Sequence, residues 1–482
     1  MNLVQLLEIG LIPREMLFII ILYCLMTGIN DLKEIERACR LNKILQVVSL
    51  GKTPSITTFR RFFIDSDPLV LKKLFLYTIV ELNDYGFVNF LKLYVDSTDG
   101  LVRGSKNYIL TSFKVETFEF LEHHDLIHDL TKNSKKRVLD GLRKLEKEYD
   151  ENSEEMKYIR LVRSNLDFFN TDISEKLPQL TRIMEERELD KISITFPESV
   201  IMPTKKGKTD FAFNVHEIMT EDKIVLTPFL SNLPNDKHCL EEIIIELKSN
   251  IQIILDLQKK YGTRSNYKEI ENTLDNTIMV FDSGYYELNN LQVADENNLN
   301  VIILPKRISN QINNQIRKAN NIKTKDKNKK NPNKTSRKTL TRTLEGYMCK
   351  AGNILRLKKH WEVKKHDHSQ EKLPANLREN RYEFHCSACK NCPYAQKCDL
   401  ETITDTMTPL EYEMIIKSLK KRYQKIYQER FHCSEGINGY LKGKEGILYF
   451  MISNITACQN QLYLLNIGYN LKRKVNMKGV TH

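Results

Sequence analysis

Apolar segments that alternate between strand length and helix length limit the kind of core that this chain can form. Each segment is rich in Val, Ile, Leu and Phe and is bounded by polar or turn-forming residues. In order, they predict strands at 88–96, 210–219 and 223–230, a helix at about 239–260, a strand at 277–286, a short helix, and a strand at 300–305. Such an order predicts a sheet covered by helices, so the fold class is α/β.

Two of the predicted strands contain an acid at or near their end. Asp96 closes the first strand, and Asp282 follows the apolar part of the fourth. A third acid, Glu435, lies in a segment of helical character, and Lys442 follows it by seven residues, which places both on one helix face. Clustered carboxylates can hold two divalent ions for phosphoryl transfer on DNA. With 62 acids in the chain, this spacing alone is a weak signal, and the nearby Asp99 is interpreted as a loop residue.

The segments outside the predicted sheet divide the chain of 482 residues into further units. Residues 1–87 predict an N-terminal helical domain that serves either DNA binding or dimerisation. Residues 88–310 predict the core, with a charged helical insertion at about 113–190. Residues 311–345 are rich in Lys, Arg and Asn and predict an exposed or disordered basic segment. Residues 403–475 predict helices that complete the core.

The basic residues favour a polyanionic partner. The formal net charge is +12, and nucleic acid is the common partner of such a chain, although lysine-rich surfaces also serve solubility. Ser55 or Thr57 is a candidate cap for a helix that carries Arg60 and Arg61. The candidate DNA contacts are Arg60, Arg61, Lys205, Lys206, Lys329, Lys330, Lys472 and Arg473.

The longest apolar run, at 16–26, predicts a buried helix. It is too short to span a bilayer, which needs about 20 apolar residues. Pro13, Arg14 and Glu15 precede it, and this is not the pattern of a signal peptide. We therefore expect a cytoplasmic protein without membrane contact.

The cysteines cluster in a way that favours metal binding over disulfides. Five of the ten lie within residues 346–402, and four of these have the spacing C-x2-C-x2-C-x5-C. They are Cys386, Cys389, Cys392 and Cys398. Four thiolates this close can wrap one structural Zn²⁺, and Cys349 and His385 are further candidate ligands. Reduced thiols in a compact loop and an iron–sulfur site are the alternatives.

Five stretches of the chain carry a more specific signal. They are IERACRLNKILQVVSLGKTPSITTFRRF (35–62), YVDSTDGLVRGSKNY (94–108), ESVIMPTKKGKTDFAFNVHEI (198–218) with SNLPNDKHCL (231–240), FDSGYYELNNLQVADENNLNVIILPKR (281–307), and EGINGYLK (435–442) with IGYNLKR (467–473). In this order they resemble the DDE transposases of bacterial insertion sequences, in the subgroup with an N-terminal helical domain and a cysteine-rich insertion. Glu435, Gly439 and Lys442 keep the spacing of that family.

The resemblance implies an RNase H-like catalytic core. In such a core Asp96, Asp282 and Glu435 are expected to hold two Mg²⁺ or Mn²⁺ ions, and Lys442 to contact a phosphate near the cleaved bond. The implied partners are double-stranded DNA, at terminal inverted repeats and at a target site, and a second subunit of a homodimer on that DNA. The implied reactions are strand cleavage and strand transfer, carried out in the bacterial cytoplasm at the nucleoid.

Several residues depart from the family pattern. Ser97 stands where the family prefers Gly, and Gly436 and Asn438 replace the usual Pro and Phe. Leu448, Tyr449 and Ser453 occupy positions that are often Arg in the family. Two alternatives therefore stay open, namely a nuclease that does not join DNA and a DNA-binding protein that has lost catalysis.

Overall fold

The chain is a mixed α/β protein, as the order of its apolar segments predicts. The computed structural model describes residues 12–102, 108–130, 135–204, 209–319, 340–364, 369–392, 395, 398, 400–443, 448–452 and 454–480. Within these residues, no helix is long and apolar enough to cross a membrane.

The regular elements of residues 14–84 are all helices, and strands and helices are interspersed along the rest of the described chain. The strands are β1 (Lys92–Val102), β2 (Ile109–Thr111), β3 (Lys191–Ser193), β4 (Val200–Pro203), β5 (Thr209–Thr220), β6 (Val225–Ser231), β7 (Ile278–Phe281), β8 (Asn300–Ile302), β9 (Thr341–Thr343), β10 (Gly346–Met348), β11 (Ile354–Glu362), β12 (Asn380–His385), β13 (Thr402–Met407) and β14 (Leu448–Phe450). The α-helices are α1 (Arg14–Met26), α2 (Leu32–Leu41), α3 (Lys43–Val48), α4 (Ile56–Asp65), α5 (Pro68–Asp84), α6 (Ser112–His123), α7 (Lys135–Leu145), α8 (Glu154–Ser164), α9 (Thr171–Glu186), α10 (Leu240–Tyr261), α11 (Tyr267–Glu271), α12 (Thr273–Asn276), α13 (Leu288–Glu296), α14 (Lys306–Ala319), α15 (Pro409–Leu419), α16 (Lys421–Lys442) and α17 (Ile455–Val480).

The main sheet is built around β1 and contains seven of the described strands. β5 pairs with β1 in antiparallel fashion, and β7 pairs with it in parallel on the other side. β8 extends the sheet beyond β7, whereas β4 and β6 both pair with β5. The predicted β5–β6 hairpin is therefore confirmed, with its turn closed by a hydrogen bond from Thr220 N to Ile224 O.

β1 does not end at Asp96, contrary to the sequence-based prediction. β5 pairs with it as far as Leu101, and β14 pairs with it in parallel from Gly100 to Val102. Asp99, interpreted as a loop residue, consequently lies inside the strand. β7 pairs only as far as Val95, so Asp96–Asp99 face a gap between β7 and β14 in the described sheet.

Long-range pairing also explains why the C-terminal region is not wholly helical. The range 403–475 was predicted as helices, yet it contains β14 and most of β13. β14 has only three residues, too few to display a strand's alternating pattern, and it exists by pairing with β1. α16 follows the predicted helical character of 435–442 and packs on β1, β5, β7 and β14.

The N-terminal helices share one hydrophobic core with the main sheet. Ser55 caps α4 by accepting a hydrogen bond from Thr58 N, which places the buried Phe59 and Phe63 in that core. α17 joins the two regions, because it packs on α1, α4, α5 and β6. Its buried Asn460 donates hydrogen bonds to the carbonyls of Phe63 and Ser66 at the end of α4.

Two further units have smaller cores of their own. α6–α9 pack with the two-stranded antiparallel β2–β3 sheet around the Phe118 and Phe169 rings. β9–β13 form an antiparallel sheet in the order β13-β12-β11-β10-β9. This sheet spans 341–407, wider than the predicted cysteine-rich range of 346–402, and it buries Arg342 with its guanidinium 4.6 Å from the ring centroids of both Tyr347 and Phe384.

Gly100 is a packing constraint where β14 joins β1. An added Cβ would lie 2.8 Å from Cγ2 of Val215 and would also overlap the ring of Phe450, both of them buried. We expect Gly100→Ala to lower the free energy of unfolding by about 1–3 kcal/mol, because a filled core cannot accept an extra carbon without strain. Urea denaturation followed by circular dichroism measures this change.

The matched control for this substitution is Gly439→Ala in α16. A Cβ there would meet nothing within 4 Å. Removing a helical glycine is expected to leave stability unchanged or to raise it by up to about 1 kcal/mol. A Gly100→Ala protein as stable as the wild type would contradict the packing argument.

Candidate active site

The gap in the main sheet brings two predicted acids to one guanidinium. Arg430, on α16, lies 3.4 Å from Oδ1 of Asp96 through Nη1 and 3.3 Å from Oδ1 of Asp282 through Nη2. Asp96 comes from β1, whereas Asp282 follows the end of the neighbouring β7. The Arg430 side chain is only 6% exposed, so a buried cation joins the two carboxylates.

Neighbouring side chains hold this bridge in place. The Arg430 guanidinium lies 4.9 Å from the ring centroid of Phe431 and 5.6 Å from that of Tyr427. Burial by itself would lower the pKa of Arg430, but the charges of Asp282 and Asp96 outweigh it and raise that pKa. Arg430 is therefore held in its charged form.

Asn438 supplies a further contact from α16. Its amide Nδ2 donates a hydrogen bond of 2.9 Å to Oδ2 of Asp96, so both Asp96 oxygens have a partner on this helix. Asn438 thus places a hydrogen-bond donor against the acid, at a position where the transposases that the sequence resembles usually carry Phe. The helix fixes the Asp96 carboxylate from one side.

Glu435 and Lys442 both lie on α16, but the structure describes the side chain of Lys442 alone. The backbone of Glu435 belongs to α16, one turn before Asn438, and its side chain lies outside the described residues. Lys442 is 12% exposed, and its Nζ lies 3.8 Å from Oδ1 of Asp99. The predicted phosphate-contacting lysine is therefore directed towards a buried acid.

Glu217 is a buried acid that the sequence-based prediction did not single out. It lies directly opposite Asp96 in the β1–β5 register, and it is 2% exposed. Burial, reinforced by the charge of Asp96, raises the pKa of Glu217 to about 8, against the opposing effects of a hydrogen bond with Asn466 and the charge of Lys442. Glu217 lies within 198–218, one of the stretches that carry the family resemblance. It could have been identified only from the register between β1 and β5, which places it opposite Asp96.

Asp236 was also missed by the prediction. It lies in a short 3-10 turn between β6 and α10 and accepts hydrogen bonds from Ser97 Oγ at 2.9 Å and Asn214 Nδ2 at 2.8 Å. Burial raises its pKa, and the charges of Asp282 and Asp96 add to this effect. Ser97, at a position where the transposases that the sequence resembles prefer Gly, thus supplies a second hydrogen-bonding group at the same site.

The predicted DNA contacts fall into three groups. Arg60 and Arg61 are exposed on α4. Lys472 donates a hydrogen bond to the carbonyl of Met26, and Arg473 donates one of 2.9 Å to the carbonyl of Asp222, so both have contacts within the chain. Four lie outside the described residues: Lys205, Lys206, Lys329 and Lys330.

The cysteines gather at one end of the second sheet. Cys349 follows β10, Cys386 follows β12, and Cys398 precedes β13. Burial raises the pKa of the Cys389 thiol to about 12, and its hydrogen bond and electrostatic interaction with Cys386 and the charges of Cys398 and Cys349 act in the same direction.

The site at the gap places the carboxylate oxygens of Asp96 and Asp282 beside the positive charge of Arg430. The side chains of the described residues include no cluster of three or more His, Cys, Asp or Glu that would mark a metal centre. The expected magnesium and zinc sites therefore stay predictions, and the side chain of Glu435 lies outside the described residues.

No family model, curated protein or solved structure matches the chain.

Glu217 generates a pH-dependent prediction. A carboxyl with a pKa of about 8 in the folded state and about 4.5 when unfolded takes up a proton on folding between these pH values, so its contribution to stability falls as the pH rises. Glu217→Gln removes this dependence. We expect its stability relative to the wild type to rise by roughly 1.4 kcal/mol per pH unit across that window.

Urea denaturation from pH 5 to 8 in EDTA measures this difference. Glu241→Gln, an exposed substitution on α10, is the control and is expected to follow the wild type at every pH. A constant difference between Glu217→Gln and the wild type would show that Glu217 is ionised throughout.

Proposed function

We propose that this protein is a DDE transposase that binds the ends of an insertion sequence and catalyses cleavage and transfer of DNA strands. The observation that carries the proposal is the convergence of Asp96 and Asp282 on Arg430. These acids come from adjacent parallel strands, and the helix that contacts both of them also carries Glu435. The three predicted acids thus belong to three elements that meet at the gap in the sheet.

The residues at this gap suit Mg²⁺ or Mn²⁺. Carboxylate oxygens are the ligands that these ions prefer, and the site already stabilises one positive charge between its two aspartates. Two bound ions would activate the attacking oxygen and stabilise the leaving oxygen. Asp96, Asp282 and Glu435 are the residues proposed to hold them.

An RNase H-like core is the finer fold assignment that we propose for residues 88–310 and 403–475. Its support is a mixed sheet whose central strand carries Asp96, a parallel neighbour that leads to Asp282, and a helix across both strands that carries Glu435. In open α/β sheets, functional groups gather where neighbouring strands diverge. The gap between β7 and β14 is such a place.

The protein's own residues would orient DNA and balance charge. Asn438 and Arg430 hold the Asp96 carboxylate, while the exposed Gly436 and Gly439 leave the surface of α16 open to close approach by a DNA backbone. In the proposed reaction, water attacks the phosphorus at the element end and the bond to the 3′ oxygen breaks. The freed 3′-hydroxyl then attacks a phosphodiester of the target and displaces its 3′ oxygen.

The proposed partner is double-stranded DNA, bound as a homodimer at the nucleoid. Support comes from the net charge of +12 and from Arg60 and Arg61, exposed on a helix in the N-terminal region. Cations on an exposed helix contact phosphates without reading sequence. α4 is therefore a candidate for holding the terminal inverted repeats.

A transposase-derived DNA-binding protein without catalysis is the second candidate. The contact of Lys442 with the buried Asp99 favours it, because this lysine, which is 12% exposed, is not presented to a phosphate in the DNA-free protein. A nuclease without joining activity would use the same acids. One assay separates all three functions.

The assay uses a plasmid that carries this coding sequence with its flanking DNA, incubated with purified protein and Mg²⁺. Asp282→Asn is expected to reduce cleavage at the element ends by roughly 100-fold or more, because it removes a proposed metal ligand. Joining of a labelled cut end to a second plasmid is the further readout.

Asp256→Asn is the matched control, since Asp256 is exposed on α10. It is expected to cut and join as the wild type does. Cutting without joining by the wild type would favour the nuclease. Equal cutting by the wild type and Asp282→Asn would contradict the mechanism.

We further propose that the cysteine cluster holds one structural Zn²⁺. One end of the second sheet brings Cys386, Cys389 and Cys398 together with Cys349. Closely spaced cysteine thiolates are typical zinc ligands. Cys392 completes the spacing found in the sequence. A site closed by four thiolates supplies no water for catalysis, so its role is to stabilise this sheet.

Removal of one thiol tests the zinc proposal. The wild type is expected to carry one Zn²⁺ per chain by atomic absorption, and Cys386→Ser to lose it and unfold at a lower temperature, since zinc binding contributes to folding. Ser387→Ala, an exposed neighbour, is the control and is expected to keep the metal. Wild-type protein purified with added Zn²⁺ yet free of bound metal would contradict the proposal.

A further inference from the structure

Asp236 is a carboxylate close to the two candidate metal ligands that no step of the proposed mechanism uses. It begins the short 3-10 turn Asp236–His238, which follows β6 and leads into α10. Its side chain is half-buried, although Lys237 and His238 beside it are exposed. A charged group turned inwards from such a turn requires an explanation.

Both carboxylate oxygens of Asp236 are bound to the main sheet. Oδ2 accepts a hydrogen bond of 2.9 Å from Ser97 Oγ on β1, and Oδ1 accepts one of 2.8 Å from Asn214 Nδ2 on β5. Its backbone carbonyl accepts a third bond, of 3.1 Å, from Asn290 Nδ2 on α13. These hydrogen bonds hold the Asp236 carboxylate against the part of the main sheet that contains Asp96.

The same carboxylate packs against the turn that carries Asp282. Gly284 lies two residues after Asp282, and a Cβ at this glycine would come within 2.9 Å of Oδ2 of Asp236. The absence of a side chain at Gly284 permits this close approach. Asn290 also donates 2.8 Å to the carbonyl of Tyr285, which ties the turn to the same network.

Asp236 therefore links the two acids without touching either of them. Through Ser97 it contacts the residue next to Asp96, and through Gly284 it contacts the turn that begins at Asp282. Arg430 balances Asp96 and Asp282, whereas the Asp236 carboxylate is hydrogen-bonded to the neutral Ser97 and Asn214. Its negative charge adds to the potential at the gap, and no salt bridge to a described residue offsets it.

We propose that Asp236 is a positioning residue for the divalent cations of this site. It fixes the spacing between Asp96 and Asp282 through Ser97 and the Gly284 turn, and its charge strengthens the attraction for a cation. The proposal rests on the function proposed above, since it assumes that Asp96 and Asp282 bind metal. Groups that orient metal ligands in this way typically change metal affinity by about 10–100-fold when they are replaced.

The test measures binding of Mn²⁺ alone to the full-length protein by electron paramagnetic resonance, without DNA. Asp236→Asn keeps the shape of the side chain and part of its hydrogen bonding but removes the charge. We expect its apparent Kd for Mn²⁺ to rise by about 10-fold or more. Its melting temperature in EDTA is expected to stay near that of the wild type, because removing a half-buried charge beside two other acids relieves repulsion.

Rescue by metal separates positioning from general damage. In the plasmid cleavage assay, Asp236→Asn is expected to approach wild-type cutting when the Mn²⁺ concentration is raised in proportion to its Kd. Asn214→Ala, which removes one anchor and leaves the Asp236 charge, is expected to raise the Kd by a smaller factor of about 3-fold or more. Asp256→Asn is again the control and is expected to bind Mn²⁺ as the wild type does.

The outcomes are distinguishable from failure of the proposed function. If the wild type binds no Mn²⁺, or if Asp282→Asn binds it as tightly as the wild type, the metal-dependent function and this inference both fail. If Asp282→Asn loses Mn²⁺ while Asp236→Asn keeps the wild-type Kd, only the role of Asp236 is overturned. Should Asp236→Asn not fold, Asn214→Ala decides, and an unchanged Kd in that variant overturns the proposal.

Discussion

The pairing of one buried guanidinium with two aspartates is the contact around which the candidate site is organised. Asp96 and Asp282 bring like charges to one place, and two such charges repel each other unless a cation stands between them. Arg430 supplies that cation from α16, at 3.4 Å and 3.3 Å from the two carboxylates. The relative placement of β1, β7 and α16 therefore depends on an electrostatic requirement, and any cation that binds there has to share the acids with Arg430.

Two buried polar atoms close to the acids have no hydrogen bond to a described residue. They are Oγ1 of Thr98 and Oε1 of Glu217. Each such atom costs roughly 1–3 kcal/mol of desolvation. The packing of β1 against β5 beside Asp96 therefore includes a local cost in free energy.

The C-terminal helix connects this site with the N-terminal helices. Asn460 of α17 binds the end of α4, Gln461 binds Met451 N and Tyr449 O around β14, and Asn470 binds both backbone groups of Val225 on β6. These amides are buried, and their hydrogen bonds specify one packing arrangement because a shifted helix would break them. The exposed arginines of α4 are thereby held in a defined position relative to β14, which borders the gap.

The sequence by itself determined the elements whose formation is local. Runs of apolar residues were enough for the β5–β6 hairpin, α10 and the buried α1, and the Ser55 hydroxyl was enough for the start of α4. Tertiary structure alone decided that β1 continues beyond Asp96, that β14 forms, and that Asp236 and Glu217 join the acids. The physical reason is that strand register and contacts between residues more than 100 positions apart depend on partners that local periodicity does not encode.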